Sequence, residues 1–321
     1  MNTFWTDALS QFETTPTDAP LPTDTWISPL ADFSALEVAG PDAQKFLQGQ
    51  LSCDVNQANE TQACLGSHCN PQGRMVSNFR LFRPEPEKFV LVMRNSLLEV
   101  AQKQLQKYIV FSKAKVSSVA PFYALGLHGP AASRIIADLF EICPREQNGA
   151  VQNALGTAVQ VDSEKQSFEI FLSPDHLAES LSILLPQVRL CEPGEWEAVL
   201  IEQGILYLEG SQSGEHIPLV INWDTLGGVS FKKGCYTGQE IVARLHYRGK
   251  SKRHLHHFTL AQDASIDTQR QIVDSESGKA IGEIVRVVHT KNLTSLLAIL
   301  NLAKDEALPA LCIDNSGPAI T

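Results

Sequence analysis

The sequence predicts an α+β fold in three parts: two mixed α+β domains followed by a small C-terminal β-barrel. The chain has 321 residues, of which 43% are apolar and 19% are charged, and this composition is typical of globular proteins. Such a length exceeds one ordinary hydrophobic core, so two or three domains are expected. Helix and strand patterns are mixed up to about residue 250, where helical spacing disappears. We therefore predict domains at residues 1–120, 121–245 and 246–321.

The first domain is predicted to combine a β-hairpin with two helices. The Gly-Pro-Asp turn at 40–42 starts a helix that ends near Gly49, because proline fits the first helical turn. The alternating run MVSNFRLFR (75–83) and the β-rich run KFVLVM (88–93) predict a hairpin. Helical spacing of apolar residues predicts a helix at 96–111. The residues with that spacing are Leu98, Ala101, Leu105 and Tyr108.

The second domain shows a similar succession of strands and helices. FYALGLHG (122–129) and SFEIFLS (167–173) have the composition of strands. AASRIIADLF (131–140) and HLAESLSILL (176–185) have the periodicity of helices. This alternation predicts a second α+β unit that resembles the first.

The third domain is predicted to be all-β. Its short β-rich runs HHFTLA, RQIVD, AIGEIVRVVHT and LTSLLAIL are separated by turn residues. Several short strands over roughly 70 residues indicate a small barrel or sandwich.

The net charge and the cysteine content exclude several classes of protein. A formal net charge of −10 argues against a protein that coats nucleic acid non-specifically. The seven cysteines are scattered without metal-ligand spacing, so neither a disulfide framework nor a metal site is predicted. The N-terminus lacks a signal-peptide pattern, and no apolar run is long enough to span a membrane. We expect a cytoplasmic protein with no membrane partner and no DNA partner.

The stretch FKKGCYTGQE (231–240) holds the strongest candidate for chemistry. Lys232 and Lys233 favour the thiolate form of Cys235. Gly234 and Gly238 allow positive φ angles and the close approach of a ligand. The alternative interpretation is a surface turn with an incidental cysteine.

A basic run follows this loop in an otherwise acidic protein. Its cations, with no acidic residue among them, are Arg244, Arg248, Lys250, Lys252 and Arg253. A basic rim beside a pocket would receive an anionic ligand tail or a few phosphates. The alternative is an ordinary solvated face.

WEAVLIEQG (196–204) is predicted to be helical. Trp196 and Glu202 form either a core anchor and a surface charge, or a stacking face and a carboxylate that hold a flat, amide-rich heterocycle.

Together these stretches resemble the YgfZ-type folate-binding proteins, the tRNA-modifying and iron–sulfur-cluster-assembly relatives of the glycine-cleavage T-protein. The resemblance rests first on KGCYTGQE, preceded by LGGVSFK and followed by VAR. It continues, in the same order along the chain, in GPDAQKFLQGQLSCDV (40–55), SHCNPQGRMVSNFRLFR (67–83), KYIVFSK (107–113) and WEAVLIEQG (196–204).

The resemblance implies a T-protein-like three-domain ring with a tetrahydrofolate site. The family's folate-contacting aromatic positions fall at Phe33 and Trp196, and Glu202 corresponds to the glutamate that grips the pterin ring. The T-protein's catalytic aspartate falls at Ala101, which argues against aminomethyl transfer by the T-protein route.

The leading hypothesis is a folate-dependent accessory protein that supports iron–sulfur enzymes, including those that modify tRNA. Cys235 would be its working residue, assisted by Lys233, at the mouth of the folate pocket, with tetrahydrofolate or a derivative as cofactor. Arg244 and Arg248 would bind the folate's glutamate tail, and tRNA would be an indirect partner. A one-carbon transferase and a direct tRNA-binding protein are the alternatives.

Overall fold

A computed structural model describes residue 5 and residues 24–164, 166–249, 251–263, 265–302, 307–314 and 319–320. The strands of the two mixed units are β1 (Trp26–Pro29), β2 (Phe33–Ala39), β3 (Cys64–Cys69), β4 (Met75–Glu85), β5 (Lys88–Arg94), β6 (Lys115–Val119), β7 (Tyr123–His128), β8 (Ala150–Asn153), β9 (Gly156–Gln160), β10 (Ser167–Leu172) and β11 (Arg189–Leu190). The later strands are β12 (His254–Ala261), β13 (Gln271–Asp274), β14 (Ala280–His289), β15 (Leu293–Leu300), β16 (Leu311–Ile313) and β17 (Ala319–Ile320). The helices are α1 (Ala43–Gln50), α2 (Asn95–Tyr108), α3 (Ala132–Phe140), α4 (Leu177–Leu184), α5 (Pro193–Glu202) and α6 (Gln239–Arg248).

The first sheet is antiparallel, with the order β3-β4-β5-β2-β6, and contains the predicted hairpin as β4 and β5. Helix α1 buries Phe46 and Leu47 on its apolar side. Helix α2 buries Leu97, Ala101 and Leu105. Tyr108, the last residue of α2, is instead exposed.

The second sheet has the order β11-β1-β7-β10-β9-β8. Its strand β1 comes from the N-terminal part of the chain and pairs antiparallel with β7 and parallel with β11. The first mixed unit is therefore tied to the second by main-chain hydrogen bonds as well as by side chains. The boundaries at residues 120 and 245 stay a prediction.

A buried ion pair connects the two sheets. Arg80 of β4 donates to the carboxylate of Glu169 in β10, and both side chains are almost completely buried. The Arg80 guanidinium also donates to Asn148 at 2.7 Å, and the Tyr207 hydroxyl donates to Glu169 at 3.3 Å. Charges so deeply buried require partners, so this group fixes how the two sheets face each other.

The C-terminal sheet is antiparallel, with the order β12-β15-β14-β13-β16-β17. Its last strand contacts its first, so the sheet nearly closes around its own apolar core, which includes Phe258, Ile272 and Leu296. The predicted fold class, two α+β units and a barrel-like C-terminal unit, is confirmed. In the described part of the chain, no helix is long and apolar enough to cross a membrane.

Candidate functional site

A cleft of about 210 Å³, here called the aromatic cleft, lies where the first sheet meets α5 and strand β14. Phe33 at the start of β2 and Trp196 in the first turns of α5 both line it, and their contact with folate stays a prediction. Its charged lining residues are Asp32, Arg94, Glu197, Glu209 and Arg286. Phe33 and Trp196 are only 2% and 1% exposed, so both rings border the cleft but are almost completely shielded from solvent.

Trp196 is positioned by very close packing. A Cβ atom on Gly126 of β7 would stand 2.1 Å from the indole, so only glycine leaves room for the ring. The ring of Trp26 meets it edge to face, with centroids 6.4 Å apart. Among the described residues, the buried Trp196 Nε1 has no hydrogen-bond partner. This N–H donor is therefore enclosed in the protein interior, where an unmade hydrogen bond is costly.

Two arginines and two glutamates form a network across the aromatic cleft. Arg94, at the end of β5, donates to the carboxylate of Glu197 in α5. Arg286 of β14 lies 3.2 Å from the same carboxylate and donates to Glu209 Oε1 at 3.0 Å. The Arg94 guanidinium also lies over the Phe33 ring, 4.4 Å from its centroid. The network thereby joins the first sheet, α5 and the barrel-like sheet.

Glu209 is the most exposed carboxylate of this network. Burial acts to raise its pKa, but the hydrogen bond from Ser96 Oγ and the charges of Arg286 and Arg94 outweigh burial, so that its pKa is lowered. Glu209 consequently stays ionised and can accept hydrogen bonds from a ligand's N–H groups.

Cys235 lies in a different place. It lines a second, more open cleft of about 420 Å³, here called the thiol cleft. The other lining residues come from α1, the turn before it and the segment after it: Pro41, Gln44, Lys45, Gln48, Gly49 and Asn56. All seven cysteines lie in the described part of the chain, and Cys235 alone is exposed. The two cleft linings share no residue, so the single pocket expected from the sequence is divided between two clefts.

Lys233 anchors the Cys235 loop to a neighbouring part of the chain. Its ammonium group donates to the carbonyl oxygens of Leu51 at 2.7 Å and Cys53 at 2.8 Å, and lies 5.3 Å from the Tyr236 ring centroid. Burial lowers the pKa of Lys233 to about 8, while the nearby groups of Cys53 and Asp54 oppose this shift. The lysine thus ties the Cys235 loop to the segment that follows α1. A catalytic role for Lys233 stays a prediction.

The two glycines that flank Cys235 have different roles. Gly238 has φ +84° and is the N-cap residue of α6, and a Cβ there would meet the Asn70 carbonyl oxygen at 2.4 Å. Gly234 has no positive φ, and a Cβ there would meet nothing within 4 Å. The loop therefore needs glycine at position 238 for its conformation, whereas Gly234 leaves open space next to the sulfur.

A group of uncharged side chains, here called the neutral layer, lies against the Cys235 loop, where Lys233 binds the Cys53 carbonyl oxygen and a Cβ on Gly238 would stand 3.0 Å from Cys69 Cβ. Cys53 and Cys69 are buried, and burial raises the pKa of each thiol to about 12. His68, which bridges to Leu51, is also buried, and burial lowers its pKa to about 4. Neither ring nitrogen of His68 has a hydrogen-bond partner among the described residues. At neutral pH the thiols of Cys53 and Cys69 and the imidazole of His68 are therefore uncharged.

The other predicted site residues lie outside both clefts. Glu202 is exposed at the end of α5, beside His128. Burial lowers the pKa of His128, and the negative charge of Glu202 opposes that shift. Arg244 and Arg248 are exposed on α6. On the same helix, His246 stacks on Phe231 with ring centroids 3.8 Å apart, and Tyr247 is 68% exposed. Lys250 lies outside the described residues. Within the described residues, no cluster of His, Cys, Asp and Glu side chains could hold a metal ion.

Sequence reasoning missed the charged network of the aromatic cleft. A weak signal exists for Arg94, which ends the apolar run KFVLVM where a strand should stay uncharged. Glu197 and Glu209 occur among several other acidic residues, and Arg286 interrupts a β-rich run of the third domain. Only the folded chain brings these four residues, which are far apart in sequence, to one place.

The sequence of this chain was compared with protein families and with individual known proteins, and it matches both. The GCVT N-terminal domain family matches residues 27–151. The tRNA-modifying protein YgfZ of Klebsiella pneumoniae (strain 342) is 35% identical over 236 residues, 74% of this chain and 71% of that protein. The protein of the same name from Escherichia coli (strain SE11) is 36% identical over 237 residues, 74% of this chain and 72% of that protein.

A solved structure shows the same fold. The crystal structure of glycine cleavage system aminomethyltransferase T from Bartonella henselae superimposes with a TM-score of 0.72 and covers 92% of this chain and 84% of its own. The two sequences are 18% identical, so this likeness concerns the fold alone.

Proposed function

This chain belongs to the YgfZ family of tRNA-modifying proteins, and from that premise we propose that it supports tRNA modification as a folate-binding factor for iron–sulfur enzymes. Cys235 is its working residue in this proposal. The observation that carries the proposal is the exposure of Cys235, alone among seven cysteines, at the edge of an open cleft.

The chemistry proposed for Cys235 follows from its surroundings. An accessible thiolate is a nucleophile and a ligand for iron, whereas the buried thiols Cys53 and Cys69 are held protonated. Iron–sulfur clusters are usually held by four protein ligands, so Cys235 would supply one ligand to a substrate cluster. The enzyme that owns the cluster would supply the others. The open thiol cleft leaves space for such a partner to approach.

We propose that the aromatic cleft binds the pterin head of a reduced folate. Its volume of about 210 Å³ is below the roughly 300 Å³ at which pockets for whole drug-sized ligands begin, and suits a two-ring head. The Glu197 and Glu209 carboxylates can accept hydrogen bonds from a pterin's amino and ring N–H groups. The guanidinium groups of Arg94 and Arg286 can donate to its carbonyl oxygen. Bound folate would supply the nitrogens that carry one-carbon groups.

The role of Cys235 is tested in cells that lack this protein. Restoration of iron–sulfur-dependent tRNA modifications is measured by mass spectrometry of nucleosides, with Cys235→Ser compared with the native chain. We expect Cys235→Ser to abolish restoration, while Cys191→Ser, a matched change at a half-buried thiol, restores it fully. Full restoration by Cys235→Ser would mean that the loop acts through shape alone.

The folate site is tested with two glutamates of the same helix. The network implicates Glu197, whereas the resemblance implicates Glu202, which is exposed beside His128. Calorimetric titration of tetrahydrofolate should show at least tenfold weaker binding for Glu197→Gln, because about 1.5–3 kcal/mol per charged hydrogen bond is lost. Glu202→Gln should bind within about twofold of the native protein. The opposite result would move the pterin to the His128 side of α5, and far-UV circular dichroism checks that both variants fold.

Two alternative functions can be told apart from this proposal by experiment. A one-carbon transferase needs an acid near the folate nitrogens, but the position implied by the resemblance is Ala101, which is buried in the core of the first unit. Turnover of a methylene donor by the purified protein would favour that function. Direct tRNA binding is favoured by the exposed Tyr247 beside Arg244 and Arg248, and would show as affinity that falls steeply with salt.

A further inference from the structure

The segment KYIVFSK, which connects α2 to β6, holds two apolar side chains out in solvent. Phe111 is 97% exposed and Val110 is 72% exposed, the two highest values among the large hydrophobic residues in the described part of the chain. We call this pair the apolar knob. Leaving such side chains in water forgoes about 1.5–3 kcal/mol for each one that could be buried. Adjacent exposed apolar residues of this kind mark interaction surfaces.

The apolar knob is held in place by its neighbours. Residues Ile109–Phe111 form a single 3₁₀ turn, closed by a hydrogen bond from Ser112 N to the Ile109 carbonyl oxygen at 2.8 Å. The Ile109 side chain packs against the core, and Lys113 N donates to Asp42 Oδ2 at 2.7 Å. Because both ends of the turn are fixed, Val110 and Phe111 project outward as a consequence of the fold.

Lysines precede and follow the apolar knob in the sequence. Residues 100–120 contain Lys103, Lys107, Lys113 and Lys115 and no acidic residue, although the whole chain carries a net charge of −10. Lys107, Lys113 and Lys115 are exposed, and none of the three takes part in an ion pair among the described residues. A partner that covered the knob would therefore gain most if it placed carboxylates opposite these lysines.

The apolar knob lies next to the thiol cleft. Asp42, which accepts the hydrogen bond from Lys113, directly follows Pro41, a residue of the cleft lining. The Lys113 carbonyl oxygen lies so near Gly40 that a Cβ there would approach it to 2.4 Å. A macromolecule seated on the knob would thus also reach the edge of the cleft that contains Cys235.

We propose that the apolar knob and its lysines form a docking surface for a folded protein that presents an apolar socket bordered by carboxylates and covers the thiol cleft. The knob is convex, so it suits a protein socket better than a small ligand. Phe111 is the single ring of the knob, so the knob lacks the succession of rings on which single-stranded nucleic acid stacks, and the net charge of −10 repels a polyanion. This inference does not depend on folate binding or on iron–sulfur chemistry.

The first part of the test identifies the partner. A photo-crosslinking amino acid replaces Phe111 in the full-length chain, and a control chain carries it at Ile142, which is 60% exposed far along the sequence. Cells are irradiated, and adducts specific to position 111 are identified by mass spectrometry. An adduct that nuclease removes, or one made of two copies of this chain, would overturn the proposal. So would the absence of any protein adduct specific to position 111.

The second part measures binding with the purified partner by calorimetry. We expect Phe111→Ser to weaken binding at least tenfold, and Lys113→Glu to weaken it with a loss that grows at low salt. The matched control Ile142→Ser should bind like the native chain, and all three variants should keep the native thermal midpoint because the changed residues are exposed. Unchanged affinity for Phe111→Ser would overturn the proposal.

The third part tests whether the partner covers the thiol cleft. Saturating partner should slow the reaction of Cys235 with a polyethylene-glycol maleimide at least tenfold, and this protection should be lost in Phe111→Ser. Undiminished labelling in the complex would separate the apolar knob from the thiol cleft and overturn that part of the proposal. Sedimentation with anionic phosphatidylglycerol vesicles that depended on Phe111 would instead identify a membrane surface as the target.

Discussion

The aromatic cleft and the thiol cleft use charged groups in opposite ways. In the aromatic cleft, Arg94, Arg286, Glu197 and Glu209 are paired with one another and join three parts of the fold. In the thiol cleft, the exposed Lys45 makes no ion pair among the described residues, and the neutral layer lies against the Cys235 loop. The first arrangement suits orientation of a polar ligand, and the second leaves a reactive group accessible. Binding and reactivity are thereby separated within one small protein.

The largest expected difference between the clefts concerns stability. Arg94→Ala removes a buried guanidinium and leaves Glu197 and Glu209 with one cation fewer. We expect it to lower the free energy of unfolding by about 3 kcal/mol, since breaking a buried ion pair leaves an uncompensated charge. Lys45→Ala, in the thiol cleft, should change it by less than about 0.5 kcal/mol. Urea denaturation followed by circular dichroism measures both, and equal losses would contradict the contrast between the clefts.

A smaller effect separates the two glycines beside Cys235. Gly238→Ala forces a Cβ onto a residue with φ +84°, against the Asn70 carbonyl oxygen, and should destabilise the protein by about 2 kcal/mol. Gly234→Ala meets open space, so its effect should stay within about 0.5 kcal/mol. Urea denaturation followed by circular dichroism measures the free energy of unfolding of both variants. A Gly234→Ala loss as large as that of Gly238→Ala would show that the loop differs from the conformation described.

A third prediction concerns how the stability of the protein depends on pH through His68 of the neutral layer. The pKa of His68 is about 4 in the folded protein and near 6.5 when unfolded, so the unfolded state binds more protons between these values. Stability should therefore fall as the pH drops through this window. Between about pH 7 and about pH 4.5, the native chain should lose about 2 kcal/mol more than His68→Leu. Identical losses in the two proteins, by urea denaturation, would place the acid sensitivity elsewhere.

Much of the fold could be predicted from the sequence because its signals are local. The hairpin of β4 and β5, the helices α3 and α4 and the β-rich C-terminal part follow from periodicity and turn residues. The helix α6 was missed because its first two residues were assigned to the Cys235 loop and its second half to the basic run, and only Val242 is buried. Strand β1 is four residues long, and its pairing with β7 and β11 depends on contacts distant in sequence.

The candidate site was predicted only in part, for a related reason. Cys235 stood out through its glycines and lysines, and Phe33 and Trp196 through a family resemblance. The structure places the aromatic pair in one cleft and the thiol in another, and no local pattern encodes that separation. Lys233 illustrates the limit. Its position beside Cys235 in the sequence suggested activation of the thiol, whereas its ammonium group binds the carbonyl oxygens of Leu51 and Cys53.

The separation of the two clefts is tested most directly by calorimetric titration of tetrahydrofolate into the protein before and after alkylation of Cys235 with iodoacetamide. Because the linings of the two clefts share no residue, we expect alkylation to leave the dissociation constant within about twofold, a change of roughly 0.4 kcal/mol. Folate affinity that falls tenfold or more on alkylation of Cys235 would contradict the separation and return the thiol to the mouth of the folate site.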